Sequence, residues 1–283
     1  MSTQQTWFIT GTSTGFGRLT AQKALEDGHK VVATCRDVSD IEDLGTDYED
    51  RILRARVDVT DESSITTAIN EAVSKFGKID ILMNNAGFGL AGAIEETSEA
   101  EFKKLYEVNV FGLLRVTKAV LPLMRDQKSG LIINLSSVVG QNAFPFIGAY
   151  SSTKFAVEGI TEALAGEVEP FGIRTMLIEP GAFDTEFAGS MKLAAKLLDP
   201  YQEAREKVMS DIEFLGDPVR AAKAIVAAAT ASPPPIRLAL GPDAIETIRE
   251  KANSVLEQMS AWEAVSTATN KDNSEPLGDK IPA

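Results

Sequence analysis

The chain has 283 residues, 44% of them hydrophobic and 24% charged, with a net charge of −13 and an isoelectric point near 4.7. That composition supplies a full core, and the acidic excess repels nucleic acid and anionic membranes. A single cysteine, Cys35, excludes an intramolecular disulfide and fits a reducing compartment, and a single histidine, His29, is all that a His-based zinc site or triad would have.

The opening residues, Met1 to Thr6, carry neither the basic region nor the apolar core of a signal peptide. No apolar run approaches the roughly 18 residues that span a bilayer. The expectation is a soluble cytoplasmic protein that touches no membrane and binds no metal. Along the chain, continuous apolar runs alternate with longer helical patterns: Trp7-Ile9, Val31-Thr34, Ile52-Val57, Ile79-Met83, Leu131-Leu135, Ile173-Ile178 and Ile236-Leu240. Continuous rather than alternating runs predict parallel strands buried on both faces, joined by crossover helices such as 16–27, 62–76 and 100–124, the last with Thr97 or Ser98 as N-cap. The fold class is α/β, one doubly wound parallel sheet with helices on both faces, in a single domain over 1–283. Ser232-Pro233-Pro234-Pro235 reads as a stiff lead into the last strand, and 266–283 as a polar tail.

The first run leads into Thr10-Gly11-Thr12-Ser13-Thr14-Gly15-Phe16-Gly17, which opens the first helix. Glycines there let backbone approach a pyrophosphate, and a helix N-terminus supplies N–H groups and positive potential. The same residues fit the G-x-S-x-G elbow of hydrolases, but the base such a serine needs would have to be His29, at the far end of the following helix. After the second run come Cys35, Arg36 and Asp37. Cys35 falls where NAD enzymes place an acid for the ribose hydroxyls, and Arg36 where NADP enzymes place a base for the 2′-phosphate. Asp37 keeps the NAD reading open; the residues favour NADP(H) over NAD(H).

Asp58, after the third run, is placed to accept from an adenine amino group or to cap a helix. Asn84-Asn85-Ala86-Gly87 follows the fourth, where small residues let a cofactor pass and amides tie loops together. Asn109 interrupts the apolar stripe Val108, Val110, Leu113 and must find partners, either structural ones or a water-mediated proton relay. Ser137 closes the fifth run. Tyr150 and Lys154 follow, four apart and therefore on one helical face. A phenol holds its proton to a pKa of about 10, and an ammonium beside it is expected to lower that value and make the tyrosine a usable general acid or base. Pro180-Gly181 and Thr185 follow the sixth run. The glycine turn, Arg36, Asp58, the Asn84 turn, Ser137 and Pro180 each sit just after a strand, hence along the carboxyl edge of one sheet, where such folds bind ligands.

In order and spacing, from about Thr6 to Thr185, the chain resembles the short-chain dehydrogenase/reductase family, compact branch, with its T-G-x-x-x-G-x-G and Y-x-x-x-K motifs. The phrases Ala33-Thr34-Cys35-Arg36-Asp37 and Leu240-Gly241-Pro242-Asp243-Ala244 look like the hydroxysteroid-dehydrogenase-like subgroup. The resemblance implies a Rossmann-type sheet of order 3-2-1-4-5-6-7 and a catalytic group of Asn109, Ser137, Tyr150 and Lys154. Tyr150 would exchange the proton, Ser137 hydrogen-bond the substrate oxygen, Lys154 bind the nicotinamide ribose, and Asn109 hold a water leading to solvent. Cofactor contacts would come from Gly11, Ser13, Thr14, Gly15, Phe16, Gly17, Arg36, Asp58, Val59, Asn84, Ala86, Gly87, Tyr150, Lys154, Pro180, Gly181 and Thr185. Many NADP-preferring members carry a basic residue where this chain has Thr14, which leaves phosphate recognition to Arg36 with Ser13.

Residues 182–215 are expected to form the substrate loop, with an apolar lining from Phe88, Phe144, Phe146, Phe183, Phe187 and Met191. Ordinary core packing would account for part of that set. The expected reaction is NADP(H)-dependent interconversion of a bulky hydrophobic ketone and secondary alcohol, by direct hydride transfer, in a homodimer or homotetramer. The alternatives are an NAD-dependent alcohol dehydrogenase, a non-catalytic nucleotide-sensing protein, and a dehydration or epimerisation on the same fold.

Overall fold

In the computed structural model, residues 4–189 and 191–269 are described. The seven apolar runs become β1 (Thr6–Thr10), β2 (Lys30–Cys35), β3 (Ile52–Arg56), β4 (Ile81–Asn84), β5 (Gly130–Leu135), β6 (Ile173–Pro180) and β7 (Arg237–Leu240), numbered within the main sheet. All pair in parallel, in the order β3-β2-β1-β4-β5-β6-β7, as expected. A separate two-strand ladder joins Leu90–Ala91 to Lys192–Leu193.

Side chains alternate across a strand, so each buried run feeds two cores. Trp7, Ile9, Val31, Ala33, Ile81 and Met83 pack beneath α1 (Gly15–Glu26) and, with Ile225 and Val226, beneath α8 (Pro218–Ala229). Phe8, Val32, Leu82 and Ile132 face the other way. They meet α2 (Glu62–Phe76), α4 (Leu113–Gln127) and α5 (Gly148–Val168) through Ile65, Val116, Val120 and Leu164. The direction of winding reverses between β1 and β4, which opens a crevice beyond their carboxyl ends.

The long helix expected over 100–124 is interrupted. α3 (Glu99–Tyr106) passes through a π-helical segment, Glu107–Gly112, into α4, and Asn109 lies inside that segment. Ser98 is the cap: its hydroxyl accepts from Glu101 N–H while the Glu101 carboxylate takes the Ser98 N–H, a reciprocal box. Thr97 spends its hydroxyl on Ala93 O. α6 (Glu186–Gly189) and α7 (Gln202–Ser210) fall in the stretch between β6 and α8. α9 (Pro242–Thr267) ends the described chain, running into the segment expected to be tail; the rest of that expectation, 270–283, lies outside the described residues. Among the described residues no helix is long and apolar enough to cross a membrane.

A buried polar chain ties the second core together. Asn84 Nδ2 donates to Thr117 Oγ1 and Asn134 Oδ1, both at 2.9 Å, and Asn134 Nδ2 donates to Thr161 Oγ1 at 2.8 Å. Removing a member leaves partners buried and unpaired. Asn134→Ala should therefore cost about 1–3 kcal/mol in urea unfolding, with an unchanged m-value; an unchanged midpoint would contradict it.

Candidate active site

The glycine-rich turn after β1 is built for close backbone approach. Gly11 and Gly15 hold φ of +71° and +58°, the left-handed region that glycine enters freely. A side chain on Gly17 would overlap Gly11 O and the Asn85 amide. Thr14, at the N-cap position of α1, makes no side-chain cap bond. The first N–H groups of α1 thus face the carboxyl edge uncapped, an arrangement that suits a phosphate.

Asn85 locks this turn to β4. Its Nδ2 donates to Thr10 O at 2.9 Å and Gly11 O at 2.8 Å, while Thr10 Oγ1 accepts from the N–H groups of Asn85 and Ala86, each at 3.0 Å. Asn84, expected among the cofactor contacts, turns its side chain inward with the strand's period, into the buried polar chain, and the amide that ties the loops is that of Asn85. Gly87 passes close to Asn109, and Val59 packs on Gly112.

At the second strand's end, Arg36 is exposed and has no ion pair among the described residues. Asp37 is engaged, its Oδ1 accepting from Ser39 N at 3.1 Å and Ser39 Oγ at 2.8 Å. Asp58 Oδ1 accepts from Thr60 N and Oγ1, and those bonds hold the carboxyl below its ordinary range. The helix after it is capped by Asp61 instead. Thr185 comes near Gly15, 4.0 Å from where a side chain there would begin. His29 lies buried at the opposite edge of the sheet, its Nδ1 accepting from Gln5 N at 3.2 Å. Burial lowers its pKa, and it has no route to Ser13.

The catalytic candidates converge where β5 ends. Tyr150 and Lys154 stand one turn apart on α5, both buried, with the Lys154 ammonium 5.6 Å from the Tyr150 ring centre. Lys154 Nζ donates to Leu135 O at 2.6 Å. Ser137 accepts from Val139 N and donates to Pro180 O, each at 3.3 Å, and faces the phenol. Asn109 is used at both ends: Oδ1 accepts from Phe88 N, and Nδ2 donates to Phe88 O and Thr153 Oγ1. The expected lowering of the phenol is not what the protein groups alone produce. Burial pushes Tyr150 well above its ordinary value, with Ser137 partly offsetting it, because the ammonium lies over the ring rather than at the hydroxyl. Burial also brings Lys154 down to about 8, against the pull of Glu158.

Of the apolar set, Phe187 lies 5.7 Å from the Tyr150 ring, and Met191 and Phe187 crowd Gly89 beside Phe88. Phe146, at φ +64°, meets Tyr201 across 6.4 Å, and Phe144 is 38% exposed. Phe183, expected in the apolar lining, is buried in the first core, edge-on to Phe16 at 5.3 Å, and closed over by Gly216. Asp243, which motif reading left without a role, accepts from Ala182 N at 2.7 Å and presses against Gly181, bracing the turn after β6.

The family described as short chain dehydrogenase matches residues 5–196. The chain belongs to the short-chain dehydrogenase family. It is 35% identical, over 93% of its length and 98% of the other's, to the oxidoreductase BOA17 of Botryotinia fuckeliana. It is 44% identical to a 3-ketodihydrosphingosine reductase of Bacteroides thetaiotaomicron, over 66% of each chain. A solved short-chain dehydrogenase from Streptomyces avermitilis superposes with a TM-score of 0.89 at 39% identity, over 95% of this chain and all of that one. An alcohol dehydrogenase from Thermococcus sibiricus, complexed with 5-hydroxy-NADP, gives 0.70 at 27%, over 84% and 96%.

As a short-chain dehydrogenase the protein is an NAD(P)-dependent oxidoreductase. The side-chain-free turn at Gly11 and Gly17 and the uncapped start of α1 fit the dinucleotide's pyrophosphate. Gly17→Ala should displace the Asn85 amide and weaken NADPH binding, read by its fluorescence, by about tenfold or more, roughly 1.4 kcal/mol. Unchanged affinity would count against this placement.

Proposed function

We propose that this chain interconverts a bulky hydrophobic ketone and its secondary alcohol, with NADP(H) in preference to NAD(H). The observation that carries the reading is the buried pair Tyr150–Lys154 at the carboxyl edge, with Ser137 facing the phenol and Phe187 against its ring. Tyr150 gives or takes the proton at the substrate oxygen, and Ser137 donates to that oxygen. Lys154 and the turn at Pro180-Gly181 hold the nicotinamide end, and Asn109 orders the Phe88 backbone beside it. The dinucleotide, when bound, supplies or accepts the hydride. These residues position the reactants and keep water away.

Support for NADP(H) comes from Arg36, which is exposed and makes no ion pair among the described residues, while Asp37 is occupied by Ser39. An arginine suits a 2′-phosphate. A hydrophobic substrate is supported by Phe187 against Tyr150, with Met191 and Phe88 at Gly89 beside it, and by the name of the Bacteroides relative, a 3-ketodihydrosphingosine reductase. A nucleotide sensor has no use for the buried Tyr150–Lys154 pair. Self-association through the π segment and α5 is supported by Phe111 and Phe155, 48% and 44% exposed there.

Tyr150→Phe should lower turnover of aryl or alicyclic ketones by about a hundredfold or more while NADPH titration is unchanged; retained turnover would remove Tyr150 from the proton step. Arg36→Ala should weaken NADPH by about tenfold or more and leave NADH nearly as it was. Equal losses would overturn the cofactor preference.

A further inference from the structure

Behind the catalytic pair, three carboxylates from two elements converge on one guanidinium. Arg237, on β7, donates through Nη1 to Glu158 Oε2 and Glu179 Oε1, and through Nη2 to Glu162 Oε1. Glu158 and Glu179 are 6% and 2% exposed. Gln141 Nε2 donates to both, at 3.0 Å each. Buried carboxylates are expensive unless paired, and well-packed apolar residues often stabilise a core as well or better. A structural role alone therefore leaves this cluster unexplained, and its position suggests another.

Tyr150, Lys154 and Glu158 are successive turns of one face of α5, and helical side chains lean toward the N-terminus. Glu158 accordingly leans back over the turn that carries Lys154. Gly140 closes over the same spot: a side chain there would start 3.1 Å from Glu158 Cγ, 3.2 Å from the Lys154 backbone carbon and 2.7 Å from Ser136 Oγ. The charged and titratable groups that face Glu158 are Lys154 on its own helix, Glu179 on β6 and Arg237 on β7, with the polar Ser136 after β5 and Gln141 in the next loop. Arg237 thus pairs with all three carboxylates, and Lys154, whose ammonium lies over the Tyr150 ring, is the second cation facing Glu158.

We propose that Glu158, anchored by Arg237, is a positioning residue that keeps the buried ammonium of Lys154 charged and leaning on Tyr150. The inference rests on the oxidoreductase reading of the same site. Burial lowers Lys154 to about 8, and Glu158 opposes that. Glu158 itself is pushed up by burial, Ser136 and Arg237 pulling it back and Glu179 adding to the rise. Without the Glu158 charge, Lys154 loses its proton at a lower pH, and the alkaline limb of turnover moves down with it.

The test is Glu158→Gln in the full chain, which keeps the side-chain shape, with Glu158→Met as second variant and Glu162→Gln as control. Lys154 is titrated by NMR on isotope-labelled lysine, assigned by the signal lost in Lys154→Arg, and kcat is measured against pH. The expected result is a Lys154 midpoint lowered by about one pH unit in Glu158→Gln, a shift of the same sign in Glu158→Met, and none in Glu162→Gln. The alkaline limb of kcat should follow the midpoint. If either of the first two variants fails to fold, the other decides. An unmoved Lys154 midpoint overturns the inference whether or not a ketone is turned over. A moved midpoint in a protein that reduces no ketone supports the inference and counts against the proposed substrate.

Discussion

An ammonium group taken out of water and laid across a phenol ring is the constraint that shapes this molecule. Lys154 is held there by one carbonyl, that of Leu135, at the end of a central strand. A buried cation is costly unless its surroundings favour charge. The Leu135 carbonyl accepts from it, and Glu158 one turn on opposes the loss of its proton. The same burial drives the phenol in the unhelpful direction, above its ordinary value.

The sheet gives this pair its address. A parallel order that reverses between β1 and β4 leaves one crevice, and the chain lines it with turns rather than bulk. Glycines at 11 and 17 let Asn85 reach across from the neighbouring strand. The turn after β6 is braced in turn by Asp243 from α9. Two cores on opposite faces hold the strands that carry these turns, and the buried Asn84–Asn134 chain links β4 and β5 near their carboxyl ends.

Strands and the glycine turn were legible because their signals are local: continuous apolar runs for strands buried twice over, and glycine where backbone must come close. Tyr150 and Lys154 were legible from a spacing of one helical turn. The directions of the Asn84 and Phe183 side chains were not legible, because the pleat and the packing against Phe16 set them rather than residue type. The π segment around Asn109 left no mark, since its apolar stripe reads as ordinary helix. The Arg237 cluster was invisible for a different reason. Its partners lie 79 and 58 residues away in sequence and meet only through the register of β6 and β7.

The most direct measurement is a crystal structure of the chain with bound NADP⁺. The account predicts the pyrophosphate at the start of α1 and the nicotinamide between Tyr150 and the turn at Pro180-Gly181, its ribose within reach of Lys154. A dinucleotide bound elsewhere, or a phenol turned away from the nicotinamide, would contradict it.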